Sequence, residues 1–241
     1  GFGLIILDPF QIALSRVLHP DSLLSAFLLL SSLSFLSYLY TGRRRRDLIV
    51  SAAVAALTLL TKTPGLFMIP LIGLFGLIET VAYVVGNAGW QWRDVFRVKT
   101  INRFLTPLLV WGLIVVGLYF LLWPALWVTP FDTLAQVMDI TGDYAEQGHS
   151  SPVFFNGKII NGDPGTWFYP ITYLWRTTPV VLLGLVLCIV GFVAGSNLLR
   201  PRKVRFTAIS LALLVLFFVI FMNLGAKKFD RYLLPVFSPL D

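Results

Sequence analysis

Charged residues are scarce in this chain of 241 residues: Asp, Glu, Lys and Arg make up 13%, and hydrophobic residues make up 57%. This composition excludes an ordinary water-soluble globule, which would have to leave large apolar patches exposed. Cysteine occurs once, as Cys188, and histidine twice. A lone cysteine excludes an intrachain disulfide and a thiolate metal site, and no His-x-x-His pair occurs. We therefore expect no transition-metal centre and no cofactor.

The net charge of +7 is carried by short basic clusters that lie between apolar runs. Clusters in that position are typical of juxtamembrane anchors, so the charge indicates membrane lipid rather than nucleic acid as the partner. The sequence predicts a multi-pass integral membrane protein. It opens at Gly1 inside one apolar segment and closes at Asp241 as another begins, so we interpret it as a fragment.

A membrane-spanning helix needs about 20 apolar residues. Five runs meet this requirement, near residues 22–41, 65–86, 104–126, 177–199 and 206–224. The shorter run 48–60 is expected to cross as well, while 1–14 and 232–240 read as truncated helices. The predicted fold is therefore all-α, a polytopic transmembrane bundle of about six to eight helices that forms one domain over residues 1–241.

Arginine and lysine set the orientation of such a bundle, because they are enriched in cytoplasmic connections. They cluster in alternate connections, at 43–46, 93–103 and 200–205. The first two clusters share a side only if 48–61 and 65–86 both cross, or neither does. The remaining connections, 15–21, 62–64, 127–176 and 225–231, are then expected outside the cytoplasm.

The long outer loop, 127–176, has two parts. Pro130 and Asp132 are helix-start signals, and apolar residues follow at helical spacing, which predicts an amphipathic helix on the membrane surface. The stretch 152–179 is rich in Gly, Pro and aromatic residues and reads as a turn-rich segment. It is either an aromatic belt at the interface or part of a site, because the charged residues Lys158, Asp163 and Arg176 lie among its rings.

Charges at membrane depth are costly and usually pair, face a cavity or line a functional path. In "SRVLHPD", residues 15–21, Asp21 is either the N-cap of the next helix in an ion pair with Arg16, or an acid of a reaction centre. In "GAKKFDRYLLP", 225–235, cations lie on the face where they are disfavoured. They either reach lipid headgroups or bind a phosphate. If this stretch is helical, Lys227, Lys228 and Arg231 converge on one anion, and Asp230 pairs with Arg176 or Arg16.

Four stretches in order resemble the C-type (GT-C) integral membrane glycosyltransferases, in the branch similar to protein O-mannosyltransferases and aminoarabinose transferases. They are "SRVLHPD" at 15–21, "LTLLTKTPGLFMIP" at 57–70, "DPGTWFYPITYLWRTTP" at 163–179 and "KKFDRYLLPVFSPLD" at 227–241. Each is weak alone, but together they span nearly the whole chain.

The resemblance implies an inverting transfer of a sugar, such as mannose, from a polyprenyl-phosphate donor to a protein or glycolipid acceptor. The reaction would take place at the extracytoplasmic face of the plasma membrane and would need no divalent metal. The base that deprotonates the acceptor would lie before Gly1, so the fragment is expected to be inactive alone. Asp21 would be a second catalytic acid, with Asp8 as its rival. Arg16, Lys227, Lys228 and Arg231 would bind the carrier phosphate, and Lys62, His149, Asp163, Tyr169 and Arg176 would line the site.

Two other functions fit the same charges. One is a transporter or flippase for a lipid-linked or anionic solute, although the sequence holds no internal repeat, which many transporters have. The other is a polymerase or ligase that acts on lipid-linked glycans.

Overall fold

A computed structural model describes residues 2–17, 19–86, 97–146, 149–197 and 201–240. These ranges are mostly helical, which confirms the predicted all-α class, and one two-stranded β-hairpin is the exception. The chain divides into two compact units. We call Gly1–Ala26 with Ala125–Asp241 the terminal unit, and Phe27–Pro124 the middle unit.

The described residues of the middle unit contain four α-helices. Helix α3, Asp21–Tyr40, enters it from the terminal unit, and α4, α5 and α6 follow at Arg45–Thr61, Met68–Val85 and Val98–Leu122. A 3₁₀ helix, Thr63–Phe67, joins α4 to α5. The Ser31 hydroxyl donates to the Ser51 carbonyl (2.8 Å), and Trp111 Nε1 donates to the Ser51 hydroxyl (3.1 Å). Ser51 of α4 therefore ties α3 and α6 together.

The terminal unit contains the two ends of the chain. Its helices are α1 (Phe2–Leu7), α2 (Pro9–Ser15), α7 (Ala125–Val128), α8 (Pro130–Glu146), α9 (Phe168–Arg176), α10 (Pro179–Val193), α11 (Arg202–Asn223) and α12 (Leu234–Leu240). Strands β1 (His149–Phe155) and β2 (Lys158–Gly162) form the hairpin, and a 3₁₀ helix, Asp230–Leu233, precedes α12.

Four helices of the described residues are long and apolar enough to cross a membrane: Asp21–Tyr40, Thr63–Val85, Val98–Leu122 and Lys203–Asn223. They indicate a membrane protein. Helix α10 has 15 residues, about 22 Å, and reaches span length only together with α9, from which it is bent by 112°. Helix α4, with 17 residues, is also short, so its crossing, and the sidedness that depends on it, stay predictions.

Helix α8 begins at Pro130, where the sequence predicts an amphipathic helix. Phe131, Leu134 and Met138 lie along one face and are exposed. The carboxylates Asp132, Asp139 and Asp143 recur at helical spacing on the opposite face. An exposed apolar face suits the expected position on a membrane surface.

The stretch after α8, predicted to be turn-rich, forms the hairpin instead. Asn156 and Gly157 have positive φ (50° and 79°) between the paired residues Phe155 and Lys158, which is the two-residue turn that Asn-Gly favours. The strand register is irregular between His149 and Val153.

The prediction of a helix that contains Lys227, Lys228 and Arg231 is wrong. Residues 227–229 are non-helical, and the 3₁₀ helix begins only at Asp230. No helical face therefore aligns the three cations toward one anion, and each cation has its own set of contacts. Asp21 is likewise the first residue of α3 rather than its N-cap. Capping occurs instead at Asp8, whose Oδ1 accepts the Gln11 backbone N–H at 2.8 Å.

Candidate functional site

The two ends of the terminal unit meet at Asp21. Ser25 of α3 donates to the Leu234 carbonyl (3.0 Å) and lies 3.0 Å from the Ser238 hydroxyl, which accepts from Gln11 Nε2 (2.8 Å). These buried contacts hold α2, the start of α3 and α12 together. They fix Asp21 beside the 3₁₀ helix that carries Arg231.

Three buried polar atoms meet at the Asp21 carboxylate. Its Oδ2 lies 3.3 Å from His19 Nδ1 and 3.4 Å from Arg231 Nε. The Asp21 side chain is 4% exposed, and all three atoms are shielded from solvent. The guanidinium of Arg231 also lies 4.4 Å from the centre of the Phe229 ring, which limits its orientations. The Arg231 guanidinium therefore lies within ion-pair distance of the buried Asp21 carboxylate.

Lys228 is held by Asp163. The lysine side chain is fully buried, and its Nζ donates to Asp163 Oδ1 at 2.6 Å. The same oxygen accepts the Gly165 backbone N–H at 2.8 Å, in a loop where Gly162 and Gly165 both have positive φ. This loop leads from the hairpin into α9. The lysine charge therefore connects the hairpin region to the segment before α12.

The predicted pairing of Asp230 is confirmed with one of its two expected partners. Arg176 Nη2, at the end of α9, donates to Asp230 Oδ2 at 2.9 Å. Both side chains are partly exposed, at 53% and 38%, so this pair is weaker than a buried one.

A cavity of about 520 Å³ opens beside these pairs. Its walls come from β1, α9 and residues 228–230, and Phe154, Phe168, Trp175 and Phe229 supply aromatic surface. Arg176, Lys228 and Asp230 are its charged lining residues. Aromatic walls with a few converging polar groups are typical of a small-molecule binding site.

Tyr169 of α9 is fully buried, and its hydroxyl has no hydrogen-bond partner among the described residues. Burial raises the pKa of this phenol above its usual range, and the neighbouring Tyr232 and Asp163 raise it further. The hydroxyl thus stays protonated. A second buried atom of this kind is Asp8 Oδ2, while the other oxygen of that carboxylate caps α2.

The other predicted site residues lie apart from these contacts. Arg16, the predicted ion-pair partner of Asp21, is exposed after α2. His19 and Arg231 contact Asp21 in its place. Lys227 is half-buried beside Lys228, and His149 begins β1 opposite Gly162. Lys62 caps the C-terminus of α4 in the middle unit.

From the sequence, the basic clusters were interpreted only as juxtamembrane anchors, so a network of ion pairs in the middle unit was missed. Glu79 of α5 binds Arg43 (2.9 Å between Oε2 and Nη2) and Arg103, and its side chain is 8% exposed. The Arg103 guanidinium stacks 4.1 Å from the centre of the Tyr83 ring, and the Arg43 side chain donates to the backbone carbonyl of Arg103. The available signal was Glu79 itself, the single acid in the apolar run 65–86.

No protein-family model matches the chain, and no curated protein or solved structure does either.

Proposed function

We propose that the chain is part of a membrane glycosyltransferase of the GT-C type, which moves a sugar from a polyprenyl-phosphate donor to a protein or glycolipid acceptor. The observation that supports this most is an aromatic cavity with cationic edges, whose lining ends one residue before the arginine that contacts the buried Asp21 carboxylate. Arg231 binds Asp21, and its neighbour Asp230 lines the cavity with Arg176 and Lys228.

The cations suit the leaving group of this reaction. As the bond from the anomeric carbon to the phosphate oxygen breaks, negative charge grows on a lipid phosphate, and fixed cations stabilise that charge. Arg176 and Lys228 are each already paired with a carboxylate. The donor phosphate therefore has to compete with Asp230 and Asp163, and the exposed Arg176–Asp230 pair exchanges partners more easily than the buried lysine.

The carboxylate suits the acceptor. Asp21 is buried next to Arg231, and its carboxylate can accept a hydrogen bond from a group that becomes positive or loses a proton. Its place in the first turn of α3, fixed by the Ser25 contacts, gives it little freedom to move. An acid held rigidly is what an inverting transfer needs.

One observation favours a transporter or flippase as the second candidate. Helices α9 and α10 together reach span length but are bent by 112°. Discontinuous helices of this kind form substrate sites in many transporters. Transport would move the lipid-linked solute across the membrane without breaking its bond to the sugar.

One experiment separates the two. The full-length protein is reconstituted in liposomes with radiolabelled polyprenyl-phosphate mannose and, in parallel preparations, with a Ser/Thr-containing peptide or a glycolipid acceptor. The proposal expects label on an acceptor, and loss of that transfer in Asp21→Asn. Label that crosses the bilayer and remains on the polyprenyl phosphate would support the transporter instead.

The extracytoplasmic side of the reaction is a separate part of the proposal. In a variant with Cys188→Ala, single cysteines at positions 44, 98 and 203 should resist an impermeant thiol reagent in intact cells, while one at 161 should react. Reversed labelling would contradict the proposed orientation. The position 147, also expected outside, lies beyond the described residues.

A further inference from the structure

Asp21, His19 and Arg231 form an arrangement that the resemblance does not assign. Asp21 Oδ2 lies between the imidazole and the guanidinium, 3.3 Å from His19 Nδ1 and 3.4 Å from Arg231 Nε. A carboxylate that already neutralises an arginine is a weak base. A neutral imidazole beside it can instead donate its Nδ1 proton to the carboxylate and keep Nε2 as a proton acceptor.

The burial of the ring is uneven in the way such a role requires. His19 Nδ1 is shielded from solvent, yet the side chain as a whole is 36% exposed. The exposed third therefore belongs to other atoms of this side chain. The buried nitrogen, Nδ1, lies beside the fixed carboxylate, which leaves Nε2 as the nitrogen on the other edge of the ring.

We propose that His19 is a general base of the sugar transfer and that Asp21 is its positioning residue; this inference rests on the proposed function. The acceptor hydroxyl gives its proton to His19 Nε2 while its oxygen forms the new bond to the anomeric carbon. The bond from that carbon to the phosphate oxygen breaks, and its electron pair leaves with the polyprenyl phosphate. The proton then passes from the imidazolium to water.

Asp21 and Arg231 have opposite effects on this step. When His19 takes up the proton, Asp21 stabilises the new positive charge, whereas Arg231, across the shared oxygen, opposes it. The remaining charged group near the ring in sequence is Arg16, which is exposed on the preceding turn. At 3.3 Å the two atoms do not form a hydrogen bond in this structure, and contacts of catalytic bases commonly tighten when substrate binds.

The test compares two replacements of His19 in the full-length protein. In His19→Asn the amide N–H can still reach Asp21, but nothing replaces Nε2. We expect transfer from polyprenyl-phosphate mannose to fall about 10²- to 10⁴-fold in His19→Asn and equally in His19→Ala, while donor affinity and thermal stability are retained. If His19 only supports Asp21, His19→Asn should restore most of the activity that His19→Ala loses.

Three measurements distinguish a general base from a residue that only supports the structure. The acid limb of the kcat/KM profile between pH 5 and 8, where histidines commonly change charge, should disappear in His19→Ala. Added imidazole should restore part of its activity. Nitrogen NMR of the ¹⁵N-histidine-labelled protein, with the His19 signal identified by its loss in His19→Asn, should show the tautomer protonated on Nδ1.

The possible failures are distinct. Protonation on Nε2, an unchanged acid limb, absence of imidazole rescue, or transfer by His19→Asn close to wild type would overturn the role of His19 and leave the proposed function standing. A wild-type protein that transfers no label to either acceptor would overturn both.

Discussion

The chain holds carboxylates among arginines in two places, and the two clusters differ in their surroundings. In the middle unit, both oxygens of Glu79 accept from guanidinium groups, and Arg103 is further held against Tyr83. In the terminal unit, Asp21 Oδ2 lies 3.3 Å from His19 Nδ1 and 3.4 Å from Arg231 Nε, and Arg231 directly follows Asp230, which lines the cavity.

The difference separates stability from function. A buried network of ion pairs stabilises a structure, because breaking it leaves uncompensated charge. Buried polar atoms without a hydrogen-bond partner occur among the described residues of both units, Asp8 and Tyr169 in the terminal unit and Ser32 and Thr80 in the middle unit, so they do not distinguish the two clusters. The described cavity lies in the terminal unit, so we propose the reaction there and assign Glu79 a structural role.

The largest effect should come from Asp21→Asn. It removes the charge beside His19 but nearly keeps the shape, so transfer per folded molecule should fall by about 10²- to 10⁴-fold. Radiolabel transfer measures it. Glu79→Gln is the matched control, with the same change from acid to amide in the other cluster, and should keep near-normal transfer per folded molecule. Equal losses in both variants would erase the distinction between the clusters.

Glu79→Gln should instead show the largest effect on stability. It leaves Arg43 and Arg103 without their buried carboxylate, and breaking a buried ion pair costs about 3–5 kcal/mol. Chemical or thermal unfolding in micelles should therefore shift strongly for Glu79→Gln. An unfolding transition at the wild-type position in Glu79→Gln would contradict its structural role.

Lys228→Met should weaken donor binding. A charge-assisted contact to phosphate is worth about 1.5–3 kcal/mol, which corresponds to roughly a ten- to a hundredfold loss of affinity. The methionine fills the buried space, and the half-exposed Asp163 can be hydrated. Lys158→Met, the same change at an exposed site of the hairpin, should bind the donor normally. If both variants bind equally well in neutral lipid, Lys228 takes no part in donor binding.

The smallest effect is expected at the Arg176–Asp230 pair. Because both side chains are partly exposed, Asp230→Asn should change the free energy of unfolding by only about 0.2–1 kcal/mol. It also frees Arg176 for the donor phosphate, so donor affinity should hold or rise. Unfolding and donor-binding titrations of this variant give both values; a marked loss of affinity would show that Asp230 itself contacts the donor.

The membrane helices and α8 could be predicted because apolar length and helical spacing are local properties. The hairpin had a local signal, Asn156-Gly157 between β-branched and aromatic residues, which the count of Gly, Pro and aromatics obscured. The contacts of the candidate site had no local sequence signal. Asp21 lies 210 positions from Arg231, and Lys228 lies 65 from Asp163, so the choice of His19 and Arg231 over Arg16 depends on tertiary packing.

The central claim, that the donor binds in the terminal unit beside Asp21, is tested most directly by photo-crosslinking. A polyprenyl-phosphate sugar with a photoreactive group on the sugar is irradiated with the full-length protein, and the labelled peptides are identified by mass spectrometry. The account predicts label within residues 152–176 and 228–231, reduced by excess unmodified donor and by Lys228→Met. Label confined to residues 27–124, insensitive to that competition, would contradict it.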